Sequence, residues 1–133
     1  MGLIVPNVKK LTDLQDITGV TGGVTLYAHI FTGSPTIDGS SAIGSFTEVS
    51  GDSSYTAQSV ASGSWSFALS SDVYTGTATP VTFLFADSHT VNGYWVQNGD
   101  GSVLYWSETF ASPISVDSST PLQLTLTISL GMC

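Results

Sequence analysis

The chain has 133 residues, of which 41% are apolar and only 9% are charged. Ten acidic residues against two lysines give a net charge of −8, and the chain contains no arginine. This length and apolar content predict one domain with a sizeable core and argue against a disordered chain. Because no basic patch can be assembled, the composition also argues against nucleic-acid binding and against a membrane-surface role.

Cysteine usage and the first residues bear on the cellular compartment. Cys133 is the only cysteine, so an intrachain disulfide cannot form and the fold needs no oxidising compartment. The apolar stretch 1–6 is too short for a signal peptide, and Lys9 and Lys10 follow it instead of preceding it. No run approaches the ~18 apolar residues of a membrane span. These features predict a protein made and kept soluble in a cytoplasm, whatever it joins later.

The beginning of the chain predicts a short arm followed by a helix. Residues 1–6 form an apolar arm that ends in a proline. Asn7 can cap a helix, and apolar residues then recur at every third position, namely Val8, Leu11, Leu14 and Ile17. This spacing predicts a helix over 7–17, which the glycine-rich residues 18–23 end. We therefore divide the chain into an arm and helix over 1–20 and a single β-sandwich domain over 21–133.

From residue 24 onwards the sequence is typical of an all-β protein. Runs rich in β-branched and aromatic residues alternate with turn signals at the spacing of a sandwich or barrel. They predict about eight strands, at 24–31, 45–49, 54–60, 64–70, 81–86, the two arms of a hairpin within 94–110, and 122–130. A jelly-roll β-sandwich is the favoured topology, and an immunoglobulin-like sandwich is the second choice.

Side-chain alternation assigns core faces to several of these strands. In the first strand the inward set is Val24, Leu26, Ala28 and Ile30, and in strand 64–70 it is Trp65, Phe67 and Leu69. The last strand has the clearest alternation, with Leu122, Leu124, Leu126, Ile128 and Leu130 on one face. The nearly continuous apolar run over 81–86 predicts a strand covered on both faces.

Residues 94–110, YWVQNGDGSVLYWSETF, predict a hairpin whose turn lies at 98–101. Its alternation is poor, since Tyr94 and Tyr105 fall on one face while Trp95 and Trp106 fall on the other. A lone thin sheet cannot pack both faces, so we expect the N-terminal helix or a neighbouring subunit to cover one of them. These four aromatics are the predicted subunit-interface residues. Stacking on sugar rings is the alternative, although core packing is the commonest role of such side chains.

Side chains that could support catalysis or metal binding are few and scattered. His29 is predicted in the first strand and His89 in a loop, and Glu48 and Glu108 are the only glutamates. We expect surface or hydrogen-bonded roles for all four, because no nucleophile motif or metal-ligand spacing accompanies them. The NGDG sequence at 98–101 lacks the further oxygen ligands of a calcium loop. We therefore predict no catalytic, cofactor-binding or metal-binding residues, no cofactor and no enzymatic activity.

Three segments together resemble the small cement, or decoration, proteins of tailed-bacteriophage heads. They are LIVPNVKKLTDL at 3–14, VTLYAHIFTGSPTIDGSSAIGSFTEVSGDSSYTAQSV at 24–60 and NGYWVQNGDGSVLYWSETFASPISVDSSTPLQLTLTISL at 92–130. The resemblance is one of pattern, covers nearly the whole chain and includes no catalytic signature. It departs from the family pattern at Lys9 and Lys10, where the pattern is acidic, and at Thr109, where the pattern has an arginine.

The resemblance implies a jelly roll that assembles as a homotrimer on the outer capsid surface and has no enzymatic activity. The implied partners are the major capsid protein and further copies of the chain. The implied place is the virion, after synthesis in the host bacterial cytoplasm. The alternative function is a carbohydrate-binding module, or a tail or fibre accessory module, that uses surface aromatics.

The arm and the first helix are the predicted contact with the capsid shell, because they are apolar and hold the only positive charges. The predicted capsid-contact residues are Leu3, Ile4, Pro6, Asn7, Lys9 and Lys10. Binding there would stabilise the shell by mass action, since the ligand favours the assembled state. The alternative is that the arm packs along the edge of its own sheet.

Overall fold

A computed structural model describes residues 7–18, 20–38 and 40–130 of the chain. Within these residues it contains one α-helix, two short 3-10 helices and ten antiparallel β-strands. Helix α1 spans Asn7–Ile17, and the 3-10 helices span Ile43–Ser45 and Ser62–Ser64. The strands are β1 Leu26–Thr32, β2 Thr47–Glu48, β3 Gln58–Val60, β4 Trp65–Ser70, β5 Val73–Ala78, β6 Val81–Phe83, β7 His89–Asn98, β8 Leu104–Val116, β9 Leu122–Leu124 and β10 Thr127–Leu130. The all-β fold with a short N-terminal helix is confirmed.

Helix α1 has the bounds that the sequence predicts. Leu14 is fully buried, whereas Ile17 is 40% exposed. A step of three residues falls about 60° short of a full turn, so a row of every third residue drifts around the helix and Ile17 leaves the buried face. At the end of the helix, the Thr18 hydroxyl donates to the Leu14 carbonyl oxygen at 2.7 Å. The helix packs mainly against β5 and β10.

The strands form three antiparallel sheets. The largest has the order β2-β1-β7-β8, with β3 also paired to β1. A second sheet has the order β10-β5-β4, and β6 pairs with β9 in a third. The main core lies between these sheets, around a fully buried set that includes Leu26, Ile30, Phe83 and Val91. The jelly-roll topology stays a prediction, as does the division of the chain at residue 20.

The sequence prediction misses one strand, β5. Its central residues, Thr75, Gly76 and Thr77, interrupt the alternation, and glycine weakens a strand interior. The glycine is explained by packing, because a Cβ at Gly76 would lie 2.8 Å from Cε1 of Phe67. A two-residue turn joins β4 to β5, with φ of 50° at Ser71 and 64° at Asp72. Both positive values fit a type I′ hairpin turn. Such turns usually contain Asn-Gly or Asp-Gly, and because this one contains neither, the sequence gives no sign of it.

Three other strand predictions need correction. Residues 54–60 are extended only at β3, and residues 122–130 divide into β9 and β10. The run 81–86 ends as a strand at Phe83, and Leu84 is 58% exposed. The prediction that this strand is covered on both faces is therefore wrong.

The predicted core faces are mostly confirmed. Leu26, Ala28 and Ile30 are fully buried. The five aliphatic residues of the last strand are buried or half-buried, while the intervening residues are exposed. In β4, Trp65 is buried but Leu69 is 44% exposed, so the inward assignment of Leu69 is wrong. The side chains of Trp65, Phe67 and Leu69 become progressively more exposed towards the end of β4.

Candidate assembly interface

The β7–β8 hairpin contains all four predicted subunit-interface residues. Strand β7 lies between β1 and β8, so it is an interior strand of the largest sheet. Tyr94 is 2% exposed and Trp95 is 3% exposed. Both rings are therefore buried by their own chain and offer almost no surface to a neighbour. Tyr105 and Trp106 on β8 are half-buried, and a contact role for them stays a prediction.

The second apolar face of the hairpin packs on a separate small cluster. Trp95 lies between the rings of His29 and Phe46, with centroid distances of 4.9 and 5.0 Å and ring planes 8° and 11° from parallel. Phe31 completes the buried set, and apolar side chains from the loop before β2 pack against it. The covering element is thus this loop with its 3-10 helix at 43–45, and the expectation that helix α1 covers the hairpin is wrong.

A β-bulge explains the poor alternation of the hairpin. Val96 pairs with Trp106 and Gln97 pairs with Leu104, so Tyr105 is an extra residue on β8. The bulge moves Trp106 to the face of Val96, against the main core, while Leu104 joins the Trp95 cluster. The assignment of Trp95 and Trp106 to one face is therefore wrong, because a bulge reverses the parity of the residues beyond it.

Strand β8 is a long edge strand that is protected against strand addition. Among the described strands it pairs with β7 alone. A second irregularity places residues 110–113 opposite the single residue Asn92, and Pro113 offers no N–H group. Glu108 pairs with Tyr94 and is exposed. Bulges, proline and charged side chains are the usual protections of an edge strand, so contact with a neighbour would use β8 side chains and not its backbone.

A hydrogen-bond chain fixes the aromatic rings of this edge. The Trp106 indole N–H donates to the Tyr94 hydroxyl at 3.4 Å, and that hydroxyl donates to Glu108 Oε2 at 3.1 Å. Burial, joined by the nearby Glu108 carboxylate, raises the pKa of Tyr94 to about 12. The Tyr94 hydroxyl therefore remains a donor at neutral pH. Partly exposed Tyr105, Trp106, Phe110 and Ile114 form what we call the β8 strip.

The predicted capsid-contact residues lie at the start of the chain. Leu3, Ile4 and Pro6 are outside the described residues. Asn7, Lys9 and Lys10 lie in the first turn of α1, and their side chains are outside the described part as well. Their contact with a shell stays a prediction.

Three polar side chains, those of His29 on β1, Glu48 on β2 and Tyr55 before β3, form a hydrogen-bonded group at a gap in the largest sheet. Strand β1 pairs with β3 up to Ala28 and with β2 from Phe31 onwards. Between these two pairings the Ile30 N–H donates to the Tyr55 hydroxyl at 2.9 Å, so a side chain takes the place of a neighbouring strand. The Tyr55 hydroxyl in turn donates to Glu48 Oε2 at 2.8 Å.

The same Glu48 oxygen lies 2.6 Å from Nδ1 of His29, which donates to the carboxylate. Burial by itself would raise the pKa of Glu48, but the hydrogen bonds from His29 and Tyr55 outweigh it and lower the pKa. Burial also raises the pKa of Tyr55 far above its usual range. Glu48 therefore acts as an ionised acceptor that orients both rings.

Asp52 is the second polar centre, and it joins two loops. Its side chain is fully enclosed and accepts hydrogen bonds from the backbone N–H groups of Ser54, Ala86 and Asp87 at 2.8–3.0 Å, and from Nε2 of His89 at 2.8 Å. Burial by itself would raise the pKa of Asp52, but these donors outweigh it and hold the pKa well below its usual range. The expectation that His89 lies in a loop needs correction, since His89 begins β7, and its ring hydrogen-bonds to Asp52.

Sequence reasoning missed the Asp52 centre and the Glu48 group. Asp52 followed two residues later by Ser54 has the pattern of an Asx turn, which is a local signal. The contacts with residues 86–89 have no such signal, because more than thirty positions separate the partners in the chain. The pairing of His29 with Glu48 depends on the register of β1 against β2, which the sequence does not reveal.

Neither histidine pair forms a nucleophile–base arrangement. In the described part of the chain, no hydroxyl or thiol group hydrogen-bonds to the ring of His29 or His89. The same residues hold no group of three or more possible metal ligands. They also include no helix with the length and apolar content of a transmembrane segment. Both acidic centres connect strands and loops through hydrogen bonds. The absence of enzymatic activity stays a prediction.

The two acidic centres predict a loss of stability in acid. A carboxyl group with a lowered pKa stabilises the fold above its unfolded-state pKa, and that contribution is lost as the pH falls through the folded-state pKa. We expect the free energy of unfolding to fall from about pH 5 downwards, as measured by urea unfolding at several pH values. The Asp52→Asn variant should lose stability at pH 7 and show a smaller fall towards pH 3 than the wild type.

The Asp16→Asn variant is the matched control, because it removes an exposed carboxylate of α1 without touching either centre. It should keep the wild-type dependence on pH. An Asp52→Asn variant with an unchanged pH dependence would contradict the role assigned to Asp52.

Two surface clefts in the described part of the chain lack a stacking platform for sugars. A shallow cleft of about 490 Å³ lies between residues 41–44 and the hairpin turn at 101–104, and a second cleft of about 330 Å³ lies beside His89. Neither is lined by a tryptophan, tyrosine or phenylalanine. Trp95, one of the rings on which the carbohydrate-binding alternative depends, is enclosed in the core.

Comparison of the chain with protein-family models, with curated proteins and with solved structures finds no match. The fold and the geometry of the β8 strip are therefore the basis for a functional proposal, together with the sequence resemblance.

Proposed function

We propose that this protein is a structural virion component, a cement protein that binds the outer surface of a phage capsid as a homotrimer and stabilises the shell. The observation that carries the proposal is the β8 strip, four partly exposed apolar side chains on a long edge strand that is protected against backbone pairing. Such a strip suits side-chain contact with another protein surface. The resemblance of the sequence to the cement proteins supports the same function.

The physical design of the chain also supports this proposal. A cement protein acts by binding the assembled shell more tightly than its parts, which stabilises the shell without any chemistry. It requires a stiff body, and here the hydrogen-bonded centres at Glu48 and Asp52 and a stacked aromatic cluster connect the loops to the sheets. The major capsid protein and further copies of the chain are the partners in this proposal.

The carbohydrate-binding alternative finds less support. Sugar-binding surfaces present flat aromatic faces to solvent, and among the predicted aromatics Tyr94 and Trp95 are buried. The half-buried Trp106 packs its ring against Trp65, at a centroid distance of 6.0 Å. A glycan array would test this alternative directly.

The experiment uses phage heads stripped of the protein and then incubated with the purified chain. We expect the protein to cosediment with the heads and to raise the temperature at which they release DNA. Tyr105→Ser and Phe110→Ser should weaken this protection about tenfold in the concentration required, since each removes partly exposed apolar surface from the strip. Thr109→Ala, an exposed change on the same strand, is the matched control.

Two results would overturn the proposal. One is failure of the folded wild-type protein to bind the heads. The other is protection that the strip variants retain in full, which would place the contact elsewhere on the chain.

A further inference from the structure

Strand β4 forms a second sheet edge with properties opposite to those of β8. Among the described strands it pairs with β5 alone, in an unbroken register from Trp65 opposite Ala78 to Ser70 opposite Val73. The edge has no bulge and no proline, and Ser66, Ala68, Leu69 and Ser70 are exposed. An edge strand that lacks these protections is a template for pairing with another strand.

Strand β4 and the residues before it in the sequence form a long uncharged segment. No residue from 53 to 71 is acidic or basic, although the chain carries a net charge of −8. Two copies of such an acidic protein repel each other, and the repulsion is smallest where uncharged surfaces meet. The nearest charged residue after β4 is Asp72, in the turn that joins β4 to β5. The charge distribution therefore favours a second copy of the chain as the occupant.

The sequence of β4 is also complementary to itself. Consider two copies of β4 paired antiparallel about a two-fold axis perpendicular to the sheet. Directly opposite residues must lie on the same face of the sheet, so one residue of β4 must pair with the same residue of the second copy, and the axis passes between these two. With the axis at Ala68, Phe67 of each copy faces Leu69 of the other, and Ser66 faces Ser70. Apolar side chains then meet on one face and hydroxyl groups meet on the other.

We propose that β4 is a self-association edge at which two copies of the chain pair antiparallel around Ala68. The two three-stranded sheets then join into one continuous sheet. Pairing covers Leu69, which is 44% exposed in the single chain, and gives partners to the β4 backbone groups that face away from β5 and have none among the described residues. This inference goes beyond the proposed function and does not rest on it, because β4 and the β8 strip belong to different sheets.

The first test measures association by sedimentation over protein concentrations from about 1 µM to 1 mM. We expect the wild-type chain to associate reversibly, and Ala68→Lys to weaken the association at least about tenfold, since two like charges would lie opposite each other. Ser119→Lys makes the same charge change at an exposed position off this edge and should associate as the wild type does. Mixing Ala68→Lys with Ala68→Glu should restore association.

The second test reports the register directly. In the Cys133→Ser background, Ala68→Cys should form a disulfide-linked dimer on oxidation, because opposite positions of an antiparallel pair lie within disulfide distance. Ser66→Cys should not, since its thiol would face Ser70 of the second copy. A wild-type chain that stays monomeric throughout, association that Ala68→Lys leaves unchanged, or failure of the mixed variants to pair would each overturn the inference. These tests use the purified chain without phage heads. Their results therefore do not depend on whether the chain binds heads.

Discussion

Replacing Gly93 with alanine should destabilise the protein by about 3 kcal/mol or more. A Cβ at this position would lie 2.3 Å from the Glu108 carbonyl oxygen and 2.3 Å from Cζ of Phe31. The first is backbone of the paired strand and the second is a fully buried ring, so neither can move without disturbing the sheet. Urea unfolding followed by circular dichroism measures the loss.

Gly44→Ala is the control for this substitution. Nothing lies within 4 Å of a Cβ at Gly44, and its backbone is not in the left-handed region. It should change the free energy of unfolding by no more than about 0.5 kcal/mol. A Gly93→Ala variant as stable as this control would show that β7 does not lie against Phe31 as described.

Replacing Trp95 with alanine should cost about 4 kcal/mol of stability. The ring is 3% exposed and fills the space between His29 and Phe46, so its removal leaves a cavity lined by the second cluster. The loss should appear as a lower urea midpoint, measured by far-ultraviolet circular dichroism because the substitution removes a fluorophore.

Val103→Ala is the matched control on the same hairpin, since Val103 is 47% exposed. We expect it to stay within about 0.5 kcal/mol of the wild type. A folded Trp95→Ala variant of wild-type stability that had lost binding to a glycan would contradict both the buried position of Trp95 and the proposed function.

Much of the fold could be predicted from local patterns. The capping residue Asn7, the apolar residues at every third position and the glycine-rich residues 18–23 gave the helix its correct bounds. The alternation in β1 and in residues 122–130 gave the correct core faces. These signals are local because burial of one face repeats with the period of the element itself. Strand β5 was not predicted because the glycine in its centre breaks the alternation. That glycine is required by the Phe67 ring of the neighbouring strand, and a local sequence pattern does not reveal such a contact.

The candidate interface was harder to predict. The excess of aromatic residues in the hairpin suggested a partner, but the structure gives Trp95 a partner within the chain, in the loop before β2. The bulge at Tyr105 changed the face of Trp106, and no residue type marks a bulge reliably. The centres at Glu48 and Asp52 depend on side chains brought together from distant positions, which only the register of the sheets decides.

The irregular stretch of β8 opposite Asn92 has a practical consequence. Four residues, 110–113, already occupy the length that one residue takes on β7, and normal pairing resumes on both sides of them. Residues 111–113 are exposed, so a graft between Ala111 and Ser112 should enlarge the loop without shifting the register of its neighbours. This stretch is accordingly a site in the described part of the chain at which an inserted peptide should leave the sheet register intact, and an insert there would stand between Phe110 and Ile114 of the β8 strip.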